Sequence, residues 1–460
     1  MAASALKPSL TEMVQQSAKH LQTQVSLKQM VEFGRTPSQN TILRSAQFLH
    51  HELPIRLARR VVELENLPYN LSKMQSVQKV AGWYTQSYAD LINFPSPEDC
   101  GIPKTLLREI SVNEEDGLSK QDTEVRKPVA DKQLSAEVIA YNTKFVECIE
   151  NIKKRHDPVA ITMAQGIQEL KQIWTETKSN PILVAATKPY DVTSNAFRVT
   201  RPQMYPPHIM KNAAAVQNLL PTDLQSFLDR FYMSRIGIRM LIGQHVALTK
   251  ASMAAANAPT DYVGIICTKT SIRDVVEQAA ENAQMVLQDS FGVFTPPEIK
   301  LVIAGSSKRM DAAVDDIEFM YVPSHLHHML FELFKNSLRA VVETHGLDAD
   351  GEYPPIKVIV AQGKEDITIK ISDEGGGIPR SGMPLIWTYL YTTADKQDMD
   401  DALAGHSGAP MAGFGYGLPL SRLYARYFGG DLKLISMEGY GTDAYLHLNR
   451  LSDSEEPLPY

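Results

Sequence analysis

Gly413 to Leu432 reads GFGYGLPLSRLYARYFGGDL. Three glycines at alternate positions, Gly413, Gly415 and Gly417, run into a segment whose Leu420, Leu423, Tyr424 and Tyr427 recur at helical spacing. The pattern predicts a helix entered through a backbone of wide conformational freedom. Exposed N–H groups at such a start, with the positive end of the helix dipole, suit the oxygens of a phosphate. The string is neither a GxxxxGK[ST] loop nor a dinucleotide fingerprint inside a Rossmann unit, and a lone GxGxG is weak evidence.

Two upstream segments add to it. DITIKISDEGGGIP, Asp366 to Pro379, predicts a strand ending in a turn whose consecutive glycines let the main chain approach a ligand closely. Asp373 sits just past the strand, where a carboxylate can accept a hydrogen bond from an exocyclic amine such as that of adenine. A glycine-rich surface turn explains the same string. HLHHMLFELFKNSLRAVVE, His325 to Glu343, predicts a helix with Leu326, Met329, Leu330, Leu333, Phe334, Leu338 and Val341 on its apolar side. Glu332 and Asn336 fall four apart and share a side. Asparagine is a poor helix former, so Asn336 reads either as an oxygen ligand for Mg²⁺ beside phosphates or as part of a solvated face.

The bulk composition sets limits. With 460 residues, 43% of them hydrophobic, the chain can bury cores for two or three domains. A net charge of −7 leaves no basic field broad enough for a nucleic-acid backbone, so no nucleic-acid partner is expected. Cys100, Cys148 and Cys267 form no CxxC pair, which points to a reducing compartment without a metal cluster. No apolar run reaches the roughly 20 residues of a transmembrane helix. The first twenty residues hold Glu12, Lys7 and Lys19 but no arginine, unlike a transit peptide.

Periodicity divides the chain. Helical patterns cover Thr41 to Asn66, Ser72 to Leu91, Ala136 to Ile152, Ala160 to Trp174 and Asp223 to Leu248, a helical bundle of four-helix type. Polar stretches at 113–133 and 178–211, the second rich in proline, read as insertions. Beyond Asn257, strand-like runs YVGIICT, EIKLVIAG, PIKVIVAQ and DITIKIS alternate with helices at Ser271 to Gln288 and Pro323 to Thr344. The expected fold is α+β in two domains: an arm at 1–40, a regulatory bundle at 41–256, an α/β sandwich at 257–450 and a tail at 451–460.

The order of the signals, helix with Glu332 and Asn336, DEGGG after a strand, GFGYG opening a helix, then GTDAYLHL, resembles the ATP-binding domain of DNA gyrase, heat-shock ATPases, histidine kinases and MutL, the GHKL superfamily. HHMLFELFKNSLRA, GFGYGLPLSRLYARYF and GYGTDAYLHL further resemble the mitochondrial kinases of pyruvate dehydrogenase and branched-chain ketoacid dehydrogenase. In the first half, ELPIRLARR, SVQKVAGWYTQS, RHDPVAITMAQGI and FLDRFYMSRIGIRML resemble the bundle of the pyruvate dehydrogenase kinases. The likeness covers most of the chain except its termini and the two insertions.

That resemblance implies a protein-serine kinase using ATP and Mg²⁺, with K⁺ a further cation it allows. Glu332 would be the general base and His328, one turn earlier, its orienting partner or a structural histidine. Asn336 would hold Mg²⁺ and Arg339 would reach the nucleotide. Asp373 would bind adenine, with Gly375 and Gly377 shaping the wall and Thr442 assisting through water. Thr392, Thr393, Gly413, Phe414, Gly415, Tyr416, Gly417 and Leu418 would contact phosphate, and the stretch from Thr393 to Ala412 would be a lid. In the bundle, Tyr84, His156, Arg235 and Arg239 match an effector pocket for pyruvate-like acids, although pairing of both arginines with carboxylates of the bundle explains them equally.

The implied partners are the decarboxylase alpha subunit of pyruvate dehydrogenase, the lipoyl domain of the acyltransferase core and a second copy in a homodimer, all in the mitochondrial matrix. The sequence ends in LSDSEEPLPY, without the Asp-Trp pair of many pyruvate dehydrogenase kinases. That difference puts cross-tail docking in doubt, and the short tail resembles the branched-chain enzyme, whose substrate is the alternative. Other readings are a GHKL ATPase that drives a clamp, a non-catalytic adaptor, and a histidine kinase with His51 in HHELPIRLA as phosphoacceptor. Pro54 in that string predicts a kinked helix and a structural His51.

Overall fold

The computed structural model describes residues 9–103, 107, 136–177, 220–253, 261–304, 317–349, 351–391 and 415–458. The insertion stretches 113–133 and 178–211, the proposed lid, and Thr392, Thr393, Gly413 and Phe414 lie outside them. The described residues of Met1–Gly166, Ser234–Thr268 and Glu455–Tyr460 form one compact unit, and those of Ile167–Met233 and Lys269–Ser454 a second.

The first unit is helical. α1 (Leu10–Ser17) and α2 (Leu27–Gly34) lie in the stretch expected to be an arm. Both begin with a capping box, Ser9 with Glu12 and Ser26 with Gln29, a local signal already present in the sequence. α3 (Gln39–Glu65) continues through Pro54, which is buried. α4 (Gln75–Ile92) and α5 (Ala136–Arg155) pack on α3. α6 (Val159–Thr177) and α7 (Thr222–Met253) complete the helices, and their residues are shared between the two units. Inward positions of the first unit, among them Leu43, Leu53, Val80, Phe145 and Ile149, are fully buried at helical spacing. YVGIICT, expected to be one strand, is instead a hairpin of β1 (Tyr262–Val263) and the start of β2 (Ile266–Ser271). The cause is Gly264, at φ +66 and packed so closely on the Gln244 side chain that a β-carbon would not fit.

A buried ionic cluster ties the tail to this unit. Arg56 Nε donates to Glu52 at 2.8 Å, its Nη1 donates to Glu456 at 3.0 Å, and its Nη2 donates to the Thr23 carbonyl at 2.7 Å. Glu52 in turn accepts from the Thr23 N–H, and Gln24 donates to the Glu456 carbonyl. Glu455 forms a β-bridge with Ser26. Glu455 and Glu456 are thus held beside the chain leading into α2.

The second unit is a two-layer sandwich. Its five-stranded sheet has the order β3-β5-β6-β8-β7: β3 (Ile299–Ala304), β5 (Ile356–Gln362), β6 (Asp366–Asp373), β7 (Asp431–Met437) and β8 (Gly441–Asn449). β3 runs parallel to β5, and the other pairings are antiparallel. Strict alternation buries Ile356, Val358, Val360, Ile367, Ile369, Ile371, Leu446 and Leu448 on one face. α9 (Pro323–His345) and α10 (Gly417–Tyr427) cover that face, and α8 (Ile272–Phe291) packs alongside α9. Short β4 (Glu318–Tyr321) precedes α9, and neither it nor β7 was expected as a strand.

Removing Arg56 strands two buried carboxylates, whereas Glu456→Gln leaves Arg56 paired with Glu52. Arg56→Met is expected to lower unfolding free energy by about 3–5 kcal/mol, and Glu456→Gln by clearly less. Urea unfolding midpoints check this, and equal midpoints for Arg56→Met and wild type would refute it.

Candidate active site

The site grows from the end of β6. Asp373 is the last residue of that strand and is buried, a position at which a lone carboxylate would be costly. Three donors offset the cost. Ser337 on α9 donates to Oδ2 at 2.8 Å, and the N–H groups of Gly375 and Thr442 donate to Oδ1 at 3.1 and 3.2 Å. Burial raises the Asp373 pKa while these three bonds oppose the rise. Thr442 is the register partner of Asp373 on β8 and lies 2.8 Å, hydroxyl to hydroxyl, from Ser436.

The glycines act through proximity. A β-carbon at Gly375 would overlap Ala340 and the Val341 backbone of α9. Gly377, at φ +71, lies against the Met437 carbonyl. The turn therefore bridges α9 and the β7–β8 edge with no room for side chains, which is why three glycines stand together.

α9 brings the second half of the site. Glu332 is 16% exposed and paired at 3.0 Å with Lys335, itself buried with its ammonium 5.1 Å from the Phe331 ring centre. The other Glu332 oxygen faces Gly417, the first residue of α10, so closely that a β-carbon at Gly417 would strike it. The structure thus brings together Glu332 and the head of the glycine-preceded helix, which are far apart in sequence. His328 sits edge-on to Tyr424 at 5.1 Å. Asn336 is exposed one turn beyond Glu332, and Arg339 pairs with Glu343 at 2.6 Å. Tyr416 caps α10 without a side-chain hydrogen bond, and Leu418 follows Gly417 in its first turn, leaving the opening N–H groups of the helix uncapped by any side chain of the N-cap residue. Among the described residues no group of three His, Cys, Asp or Glu could hold a metal ion.

The bundle residues converge separately, within the first unit. Tyr84 and His156 are buried and stacked, ring centres 4.4 Å apart. Ser87 Oγ lies 3.0 Å from His156 Nε2. Arg235 donates to the carbonyl of His156 at 3.1 Å, and Arg239 pairs with Asp157 at 2.8 Å. One arginine thus meets a bundle carboxylate and the other meets main-chain carbonyls. The Arg235 Nε is buried with no hydrogen-bond partner among the described residues, a donor suited to an anion. Burial, with three arginines nearby, lowers the His156 pKa to about 4, and burial lifts that of Tyr84 to about 12. His51 is exposed on α3.

Residues 24–267 match the family described as mitochondrial branched-chain alpha-ketoacid dehydrogenase kinase. Residues 321–452 match the family of histidine kinase-, DNA gyrase B- and HSP90-like ATPases. A mitochondrial pyruvate dehydrogenase (acetyl-transferring) kinase of Schizosaccharomyces pombe is 41% identical, over 99% of this chain and 100% of its own. The Arabidopsis thaliana kinase of the same name is 42% identical over 95% and 93%, and the human isozyme 3 is 35% identical over 99% and 89%. The chain belongs to this mitochondrial kinase family. Its ATP-binding half is of the GHKL type, as the two glycine strings and the α9 helix indicate.

Two residues that complete the candidate site escaped sequence reading. Ser337 and Lys335 flank Asn336 in the same string, yet a serine and a lysine in a helix carry no distinguishing pattern. Only the approach of β6 and α10 to α9 shows that one fastens Asp373 and the other Glu332.

The depressed His156 pKa carries a signed consequence. Its contribution to stability is present above pH 6.5 and is lost as pH falls towards 4. Over that interval wild type should lose about 3 kcal/mol more stability than His156→Gln. Denaturant melts at both pH values test this, and parallel pH profiles would contradict it.

Proposed function

We propose that the protein transfers the γ-phosphoryl group of ATP to a serine of the decarboxylase alpha subunit of pyruvate dehydrogenase. The observation that carries the reading is Glu332, fastened by Lys335 and facing the first residue of α10, the helix whose start suits phosphate. Near full-length similarity to pyruvate dehydrogenase kinases supports this substrate over the branched-chain decarboxylase.

The residues present fit the nucleotide. A carboxylate offers about four acceptor positions, and three on Asp373 are taken, which leaves one for the exocyclic amine of adenine. Gly375 and Gly377 would wall the base, with Thr442 reaching it through water. Gly415, Tyr416, Gly417 and Leu418 would present main-chain donors to phosphate, joined by Thr392, Thr393, Gly413 and Phe414. Asn336 offers an amide oxygen of the hard type that Mg²⁺ takes, and Arg339 would turn from Glu343 to the nucleotide. Bound Mg²⁺ would neutralise charge on the phosphates; K⁺ is assigned no residue.

Glu332 would accept the proton of the serine hydroxyl as its oxygen bonds to the γ-phosphorus and the bond to the β-phosphate oxygen breaks, releasing ADP. Such transfer depends mainly on positioning and charge neutralisation, with general-base assistance worth about 10²–10⁴-fold. His328 would orient Glu332 from one turn away. Incubation with γ-labelled ATP and purified pyruvate and branched-chain decarboxylases should label a serine of the former. Glu332→Gln should abolish labelling and leave nucleotide binding intact. Phosphate release without a labelled protein would instead indicate a clamp ATPase.

Regulation and assembly follow the same reading. The bundle, 41–256, would be the regulatory domain, with Tyr84, His156, Arg235 and Arg239 receiving a pyruvate-like acid, and 257–450 the catalytic domain. Location in the matrix and recruitment to the lipoyl domain of the acyltransferase core belong to the proposal. So does a homodimer through the outer face of the sheet, where Val302, Ile435 and Met437 are 56%, 60% and 61% exposed. Ile435→Asp should halve the mass seen by sedimentation; a wild-type monomer would overturn the dimer.

A further inference from the structure

A helix that offers its first N–H groups to phosphate must have those groups held in place, and α10 is not held by a cap, because its N-cap residue Tyr416 makes no side-chain capping bond. Its position is imposed from outside the helix. Gly415, at φ +70, lies so close to Leu390 and Tyr391 that a β-carbon there would overlap their backbone. The Tyr416 ring packs against two others, Tyr389 at 5.2 Å and Tyr232 at 5.6 Å, and those two stand 5.6 Å apart, closing a triangle. All three tyrosines are buried.

The triangle is anchored to α7. The Tyr389 hydroxyl donates to Asp229 at 2.7 Å, and the Tyr389 N–H donates to the side-chain oxygen of Gln225 at 3.1 Å. Gln225, Asp229 and Tyr232 recur at i, i+4 and i+7, so a single stripe of α7 grips both Tyr389 and Tyr416. Aromatic packing alone would tolerate small rotations of the rings. The two hydrogen bonds are directional, and they convert an apolar contact into a fixed seat.

We propose that Asp229 and Tyr389 are positioning residues for the nucleotide phosphates, which they serve by seating Tyr416 and so fixing where the opening N–H groups of α10 point. The assignment rests on the reading of α10 as the phosphate-binding helix. It separates two parts of the nucleotide site: Asp373 and its donors serve the base, whereas α7, through the tyrosine triangle, serves the phosphates. Neither residue touches the reacting atoms.

Calorimetric binding of adenosine and of ADP to the full chain tests this. Tyr389→Phe keeps the ring and deletes only the hydroxyl. It should weaken ADP by roughly 5- to 10-fold and leave adenosine unchanged. Asp229→Ala should match it, while Asp229→Asn, which retains an acceptor oxygen, should stay near wild type. A purely structural role would weaken both ligands together, and that result, or no change in ADP binding, overturns the assignment. If wild type itself fails to bind ADP more tightly than adenosine, the phosphate reading of α10 falls first; if it discriminates and the variants discriminate equally, only the positioning role falls.

Discussion

Asp373 stands at the end of β6 with its carboxylate shut away from water, a placement that is tolerable only because the chain surrounds it with donors. Ser337 comes from α9, Gly375 from the turn that follows, and Thr442 from the neighbouring strand. Satisfying one charge therefore fixes the distance between helix layer and sheet at this edge, and it requires the glycines that let the turn pass against α9. The proposed adenine contact and the structural joint are the same few atoms. A carboxylate with three of about four acceptor positions used is rigid enough to hold the fold and still has one left for a ligand.

The carboxylate proposed as general base is held differently. Glu332 lies on α9 little more than one turn before the Asp373 partner Ser337, but it faces the start of α10 and is held by a buried cation, Lys335. Serine and lysine at nearby positions of one helix thus hold two carboxylates that face different elements. One carboxylate is held by three dipolar donors; the other keeps an oxygen turned towards the first residue of α10. The helical unit follows a related logic at Arg56, where two carboxylates share one guanidinium and bind the C-terminal residues beside α2. That cluster gives the terminal residues an intramolecular seat.

The helices of the bundle and of the sandwich were legible because apolar periodicity is a property of neighbouring residues, and the strings around Glu332, Asp373 and Gly417 were legible because glycine and asparagine in those settings violate local preference. α1 and α2 were missed although their capping boxes lie in plain view. YVGIICT was misjudged because a single glycine in an apolar run does not reveal whether the chain bends there; the packing of Gln244 decides it. For the pair Arg235 and Arg239, two explanations stood side by side at the sequence level; the structure pairs Arg239 with Asp157, while a buried nitrogen of Arg235 has no hydrogen-bond partner among the described residues.

By itself the sequence determined the element types, the split between a helical half and an α/β half, and the family with its ATP-binding strings. All of these are written in short stretches whose chemistry is decided within about one or two helical turns. Only the tertiary structure decided which side chains complete the site, because the deciding contacts join residues remote along the chain: Ser337 and Asp373 are 36 apart, Asp229 and Tyr389 160, and Arg56 and Glu456 400. Hydrogen bonds of this kind depend on angles and distances of ångström precision between separate elements. No local pattern encodes such distances; they emerge when the elements of each unit have packed.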